Sequence, residues 1–268
     1  MRRLLFAFAV LFLSVHSAFA ALALDGSTGV LNSSGGTTAS MTLSTTSAND
    51  VIVVSCAYNG AVSITSVTGA GLTFTSRAKA GNTQYIDEWY ALASSALSDE
   101  TITVTFSSNN SYDACSAFGI SGANTSAPYD TNASLPVQST AAPTYSTSNP
   151  NDFIISLTRT LTATPTPTSG WTSIYAPTGG YYLVQYQIVS AVQTNATIAV
   201  PGTNGTIADA VVQASTTGCT HGGYSSMGVI SIPNGTSGSY WLKNGTFGTP
   251  DCSTVNYWQP TVGNFGVN

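Results

Sequence analysis

The feature that most constrains this chain is an internal repeat. Asn49-Asp50-Val51-Ile52-Val53-Val54-Ser55 returns as Asn151-Asp152-Phe153-Ile154-Ile155-Ser156, 102 residues later. Gly71-Leu72-Thr73-Phe74-Thr75-Ser76 is matched by Ser169-Gly170-Trp171-Thr172-Ser173, with Phe74 against Trp171 at an offset of 97. Ile86 to Leu92 matches Leu183 to Val189, also at 97, which sets Glu88 against Gln185 and Trp89 against Tyr186. Thr101-Ile102-Thr103-Val104 matches Thr197-Ile198-Ala199-Val200 at 96, and the stretch Asp113 to Phe118 matches Asp209 to Ala214 at 96. Five segments recur in one order, so the chain holds two copies of one supersecondary unit.

Each segment reads as a strand, being short, β-branched or aromatic, and bounded by Gly, Pro, Asn or Ser. A further strand over Ser40–Leu43, with a partner near Thr144–Thr147, brings each copy to about six strands. The copies run over about 40–122 and 144–215. Between them, 121–150 holds Pro128, Pro136, Pro143 and Pro150 and reads as an extended surface crossover. The expected fold is all-β: an antiparallel, jelly-roll-like β-sandwich over 21–215 with two pseudo-symmetric halves and ten to twelve strands. Two packings are open, one interleaved sandwich or two tandem ones. The first is preferred because each copy has only ~75 residues and a larger core buries more of its surface.

The start of the chain reads as a secretory signal over 1–20. Arg2 and Arg3 precede an apolar run from Leu4 to Val15, and Ala18-Phe19-Ala20 offers a small-x-small cleavage pattern. The rest keeps four cations, Arg77, Lys79, Arg159 and Lys243, against eleven acids, a formal charge of −7. Such a surface has little to offer a phosphate backbone, so nucleic acid is not an expected partner. No polybasic patch is present for a membrane after signal removal. The localisation expected is secreted, with cell surface or periplasm as variants.

Export makes disulfides natural. Cys56, Cys115, Cys219 and Cys252 form no CxxC and no zinc ligand set. The preferred pairing is Cys56–Cys115 within the first copy and Cys219–Cys252 within the last stretch, 216–268. That stretch does not repeat the earlier pattern and reads as a small, disulfide-stapled, β-rich region. It carries Tyr240, Trp241, Tyr257 and Trp258 among Gly, Asn and Pro, where flat aromatics can stack on sugar rings; core packing is the competing reading.

For catalysis the residues offer little. Asp87-Glu88 is the only acidic pair near an aromatic cluster, but adjacent strand residues point to opposite faces, whereas a glycosidase needs two carboxylates facing across one sugar. The second copy has Val184-Gln185 there, which cannot transfer protons, and Gln185 makes Glu88 read as a structural hydrogen-bonding residue. Asp50 and Asp152, with Asp113 and Asp209, recur at strand entrances and read as turn caps, or more sharply as calcium ligands. His221 lies beside Cys219 without a nucleophile elbow. No catalytic residue, metal or cofactor is expected.

Strand motifs carry one resemblance. Asn49-Asp50 with its apolar strand, Gly71-x-x-Phe74-Thr75, Glu88-Trp89-Tyr90-Ala91, Thr101 to Phe106, Ala117 to Gly122 and Val184 to Ser190 resemble a broad group of jelly-roll-like β-sandwich domains. That group occurs in secreted bacterial proteins and phage structural proteins. The resemblance spans about Leu43 to Ser215 and implies a structural, adhesive or glycan-contacting role, with surface glycans or another extracellular protein as partner. A carbohydrate-active enzyme, a glycoside hydrolase or lyase, is the alternative.

Overall fold

The structure, a computed structural model, describes residues 21–161, 165–200 and 203–214. The signal segment, His221, the Cys219–Cys252 pairing and the aromatics Tyr240, Trp241, Tyr257 and Trp258 lie outside the described residues. The described residues all belong to one compact unit that ends at Ala214.

Every regular element described is a strand. The first half contains β1 (Ala23–Asn32), β2 (Thr38–Leu43), β3 (Asp50–Asn59), β4 (Ile64–Gly69), β5 (Thr75–Gly81), β6 (Gln84–Ala93), β7 (Glu100–Phe106) and β8 (Asp113–Ser121). The second contains β9 (Val137–Ser139), β10 (Thr144–Tyr145), β11 (Asp152–Thr160), β12 (Thr172–Tyr175), β13 (Tyr182–Val189), β14 (Ala196–Thr197) and β15 (Thr203–Val212). Fifteen strands among the described residues exceed the ten to twelve expected, because β1 precedes the first recognised motif, β4 falls between the first two motifs, and β9 lies inside the Pro-rich connector. That connector is therefore built into the second half. β9 pairs with β15, and Asp130 N–H donates to Ala210 O.

The sequence pattern explains the layers. In β2, Ala39, Met41 and Leu43 are buried while Thr38, Ser40 and Thr42 are exposed, the period-2 signature of a sheet with one wet face. In β3, Asp50 through Tyr58 are all buried, so both faces of that strand are covered. The large sheets have the orders β1-β8-β3-β6-β5 and β9-β15-β11-β13-β12, which are the same order in the two halves. The small sheets are β2-β7-β4 in the first half and β10-β14 in the second. All pairings are antiparallel.

Three cores fill the spaces between four layers. Ile52, Val54, Met41, Ile102 and Val104 pack between the first half's two sheets. Ile154, Ala208, Ala210, Tyr145 and Ile198 pack between the second half's two. The central core lies between the two large sheets and joins Val51, Val53, Phe118, Phe153, Ile155 and Ile207. The copies thus do not interleave. Strand pairing stays almost wholly within each half, apart from the isolated bridges Ala123–Gln213 and Tyr129–Val211 beside the crossover. The interleaving preferred from the sequence is not what the ladders show: each half is a sandwich of its own, while the halves share a core that neither could build alone.

The halves are related by a pseudo-twofold axis parallel to the strands. Lys79 on β5 meets Gln138 on β9, and Tyr175 on β12 lies so close over β1 that a Cβ at Gly29 would come within 2.5 Å of its ring. Arg159 near the end of β11 donates to Asn59 at the end of β3, so corresponding strand ends coincide. Tyr182 reaches across the layers, donating to Ser55 O at 3.0 Å with its hydroxyl 2.7 Å from Ser116 Oγ.

Cys56 and Cys115 sit directly opposite each other on β3 and β8 and form a disulfide with a Cα–Cα distance of 4.1 Å. The bond links strands 59 residues apart in sequence and fits an oxidising environment.

Candidate functional site

The ladders correct the sequence alignment of the two copies. Asp50 pairs with Ala93, and Asp152 pairs with Val189, so β6 and β13 correspond at an offset of 96, not 97. Glu88 is therefore equivalent to Val184, and Gln185 to Trp89. Likewise Val51 pairs with Ile120 and Phe153 with Val211, which sets β8 against β15 at an offset of 91. Asp209 is then equivalent to Phe118, and its match to Asp113 does not hold. Both corrections are odd numbers of residues, and an odd slip moves a strand's side chains to the other face. Gln185 does not report on Glu88. It is buried on the far face of its sheet, where its Oε1 accepts from Thr168 N–H at 2.8 Å.

With the register corrected, a polar cluster stands out in the central core. Ile86, Glu88 and Tyr90 share the β6 face turned to the second half, and Asp209 projects from β15 toward them. Arg77 occupies the bulge between Ser76 and Ala78 on β5, where the extra residue re-aims a side chain. Its Nε donates to Asp209 Oδ2 at 2.8 Å and its Nη2 to Asp209 Oδ1 at 3.2 Å. Tyr129 lies beneath the guanidinium, 4.1 Å from ring centroid to Cζ, and its hydroxyl donates to Glu88 Oε1 at 3.4 Å. Tyr90 meets Tyr129 edge-on.

Glu88 and Asp209 are both fully buried. Burial pushes the Glu88 carboxyl well above its ordinary range, the Asp209 charge adds to the shift, and Arg77 and Tyr129 offset part of it. Burial likewise raises Asp209, against the opposing pull of its Arg77 bonds. Burial works against the charge on Arg77, but the Asp209 bond and the nearby acids outweigh it and hold the guanidinium cationic. One cation thus faces two acids, and the sum is closest to neutral when Glu88 holds a proton.

A second cation is buried with no carboxylate partner among the described residues. Arg159 is 2% exposed and lies between the rings of Tyr112 and Tyr181, at 4.5 and 5.0 Å. It donates to the carbonyls of Thr160 and Tyr181 and to Asn59 Oδ1. Cation–π contact and three acceptors replace the missing anion.

The other predicted residues fall in separate places. Asp87 faces away from Glu88, as strand alternation demands, and accepts from Tyr58 Oη at 3.0 Å; burial raises its carboxyl to about 6. Asp113 accepts from Asn32 Nδ2 at 2.7 Å. Phe74 and Trp89 pack against the first outer core, Trp171 against the second, and Tyr186 against the central core. Among the described residues no group of three or more His, Cys, Asp or Glu is placed to hold a metal ion. Asp50 and Asp152 do not cap turns. That work is done by Asp25 and Asp130, which sequence reading passed over together with Arg77, Tyr129 and Arg159. The readable signal for the two aspartates was the recurrence of Thr45-Thr46-Ser47 as Thr147-Ser148-Asn149, the donors they serve.

No family model, curated protein or solved structure matches the chain.

Proposed function

We propose that this is an exported, non-enzymatic structural or binding protein, adhesin-like and contacting surface glycans or another extracellular protein. The observation that carries the reading is where the chain spends its chemistry. Glu88 and Asp209, which approach each other from the two halves, are sealed between them and tied to Arg77 and Tyr129. A glycosidase keeps room between its carboxylates for a sugar and a water. Hydroxyls face solvent instead. Thr38, Ser40 and Thr42 on β2 stand opposite Thr105, Thr103 and Thr101 on β7, with Ser40 Oγ 3.0 Å from Thr103 Oγ1. The second half repeats the device at Thr144 and Thr197, whose hydroxyls are 3.1 Å apart. Uncharged hydroxyl faces suit hydrogen bonding to neutral polar ligands. Tyr240, Trp241, Tyr257 and Trp258 are proposed as stacking platforms for sugar rings. The resemblance to jelly-roll-like domains of secreted and phage structural proteins points the same way.

The test is a glycan-array and whole-cell binding screen on the mature protein, repeated with Trp241→Ala and Trp258→Ala. Binding that drops at least about tenfold in one variant supports an aromatic platform. Unchanged binding in both removes it. Hydrolysis or elimination of any polysaccharide, abolished by Glu88→Gln, would replace this proposal with the carbohydrate-active enzyme.

A further inference from the structure

We infer that each half carries a proton latch, a carboxyl–carboxylate pair formed by Asp25 with Asp50 and by Asp130 with Asp152, which fastens an edge segment to the loop before the central strand. In the first half, Asp25 on β1 accepts from Thr46 N–H at 2.9 Å, Thr46 Oγ1 at 2.7 Å and Ser47 N–H at 2.7 Å. In the second, Asp130 accepts from Ser148 N–H at 2.9 Å, Asn149 N–H at 2.8 Å and Asn132 N–H at 2.7 Å. A threonine anchors each loop in the same way. Thr45 N–H donates to Leu97 O while Thr45 Oγ1 accepts from Leu97 N–H, and Thr147 repeats both bonds with Gln193.

Against each of these charged aspartates lies a second one with no backbone donor. Asp50 and Asp152 are fully buried, and among the described residues neither receives a backbone N–H; the hydroxyls of Thr45 and Thr147 lie beside them. Gly119 on β8 leaves just enough room, since a Cβ there would stand 3.2 Å from Asp50 Oδ2. Two ionised carboxylates cannot share a buried contact without compensation. The groups packed around Asp50 are Thr45 from the loop, Ala93 from β6 and Gly119 from β8, and among the described residues Asp25 is the charge facing it. Around Asp152 stand Thr147, Val189 of β13 and Val212 of β15, with Asp130 as the facing charge; Asp209 lies within range of Asp130. A cation such as calcium wants six or more oxygens. Here Asp25 and Asp130 spend theirs on N–H and O–H donors, whereas a proton needs only two facing oxygens. With that proton, Asp50 O–H donates to Asp25 and Asp152 O–H to Asp130, a short charge-assisted bond in each half.

The titration follows from the same contacts. Burial first, and then the partner's charge, raises Asp50 and Asp152 to about 7. Three donors hold Asp25 down at about 2 despite its burial. Above the ordinary aspartate value of 3.8 the folded chain keeps protons that the unfolded chain has released. The latch therefore contributes fully only below the ordinary value of 3.8; its contribution shrinks as pH rises from there and is gone once pH has passed about 7.

The test is thermal unfolding of the mature protein from about pH 4 to 8.5, for wild type and for Asp50→Asn, Asp152→Asn, the double variant and Asp25→Asn. Asn mimics the protonated acid, so the double variant should lose most of the drop in Tm that wild type shows between about pH 4 and 7. Asp25→Asn should move the midpoint of that drop to lower pH, which a merely structural lesion would not do. An unchanged slope in the double variant overturns the latch. So does a rise in wild-type Tm on adding calcium at pH 8 that Asp50→Asn abolishes, because that identifies a cation site. Infrared spectroscopy of the wild type needs no variant to fold: a protonated-carboxyl band should be present at pH 6 and lose intensity through pH 7 to 8, the remainder belonging to Glu88. Its absence at pH 6 overturns the proposal as well.

Discussion

Across the pseudo-twofold, one side of the central core holds Leu24, Phe118, Ile174 and Val184, and the equivalent positions on the other side hold Tyr129, Asp209, Arg77 and Glu88. The backbone is the same on both sides, down to the bulge that places Arg77 on β5 and Ile174 on β12. The apolar side needs only volume and contributes by burial. The polar side contributes by geometry, because a bidentate Arg77–Asp209 bond is satisfied in one relative placement of the two sheets. An apolar face can slide by a pleat at small cost, whereas a buried ion pair cannot. A duplicated unit that must stack in one register thus has reason to keep one apolar side and one ionic side.

Breaking the ionic side has the largest expected effect. Arg77→Ala leaves Asp209 and Glu88 buried without their cation and should cost about 3 kcal/mol, read as a lower denaturation midpoint at pH 7 with an unchanged slope. A loss below about 0.5 kcal/mol would mean that the cluster is solvated and the comparison empty.

A second contrast offers a gain. The disulfided residues Cys56 and Cys115 are represented in the second half by Thr158 and Thr206, which are paired and buried and whose hydroxyls have no partner among the described residues. Thr158→Cys with Thr206→Cys should form a matching bridge and add about 2 kcal/mol. Mass spectrometry of the unreduced protein checks the bond, and free thiols in the folded protein would show that the two ladders differ at that point.

Copying the apolar side onto the ionic side is the sharper trial. The triple variant Arg77→Ile, Glu88→Val, Asp209→Phe should unfold within about 1 kcal/mol of wild type or above it, because a well-packed apolar set can replace a buried ion pair. If register is what the ions supply, the triple variant's amide spectrum should show broadened or doubled signals for β5, β6 and β15. A stable variant with one sharp set of signals would rule out the register role.

Glu88→Gln should have the smallest effect. The Glu88 carboxyl is raised, so its contribution is complete below the ordinary glutamate range and is lost as pH rises through its folded value. Gln keeps the hydrogen-bonding shape and cannot ionise. Between about pH 5 and 8 the variant's stability should fall less steeply than wild type, by at most ~1 kcal/mol per pH unit. Parallel curves would mean that Glu88 is ionised throughout.

The sequence by itself determined what depends on near neighbours. Alternation in Thr38–Leu43 and the unbroken apolar run after Asp50 specify a half-wet strand and a fully covered one, because side chains alternate with period 2. The ordered repeat specified two similar halves, and Cys56–Cys115 followed from keeping pairs within a half. Tertiary structure alone decided the register between the copies. Thr- and Val-rich strands match one another at neighbouring offsets almost equally well, so the sequence placed Glu88 on Gln185 and Asp209 on Asp113, each an odd number of residues out. Only the ladders, with a bulge at Arg77 and β1 and β9 on the sheet edges, fix which face each side chain takes. Arg77 and Asp209 are 132 residues apart in the chain. No local pattern encodes their meeting, because it exists only once two sheets, each complete in its own half, have been stacked.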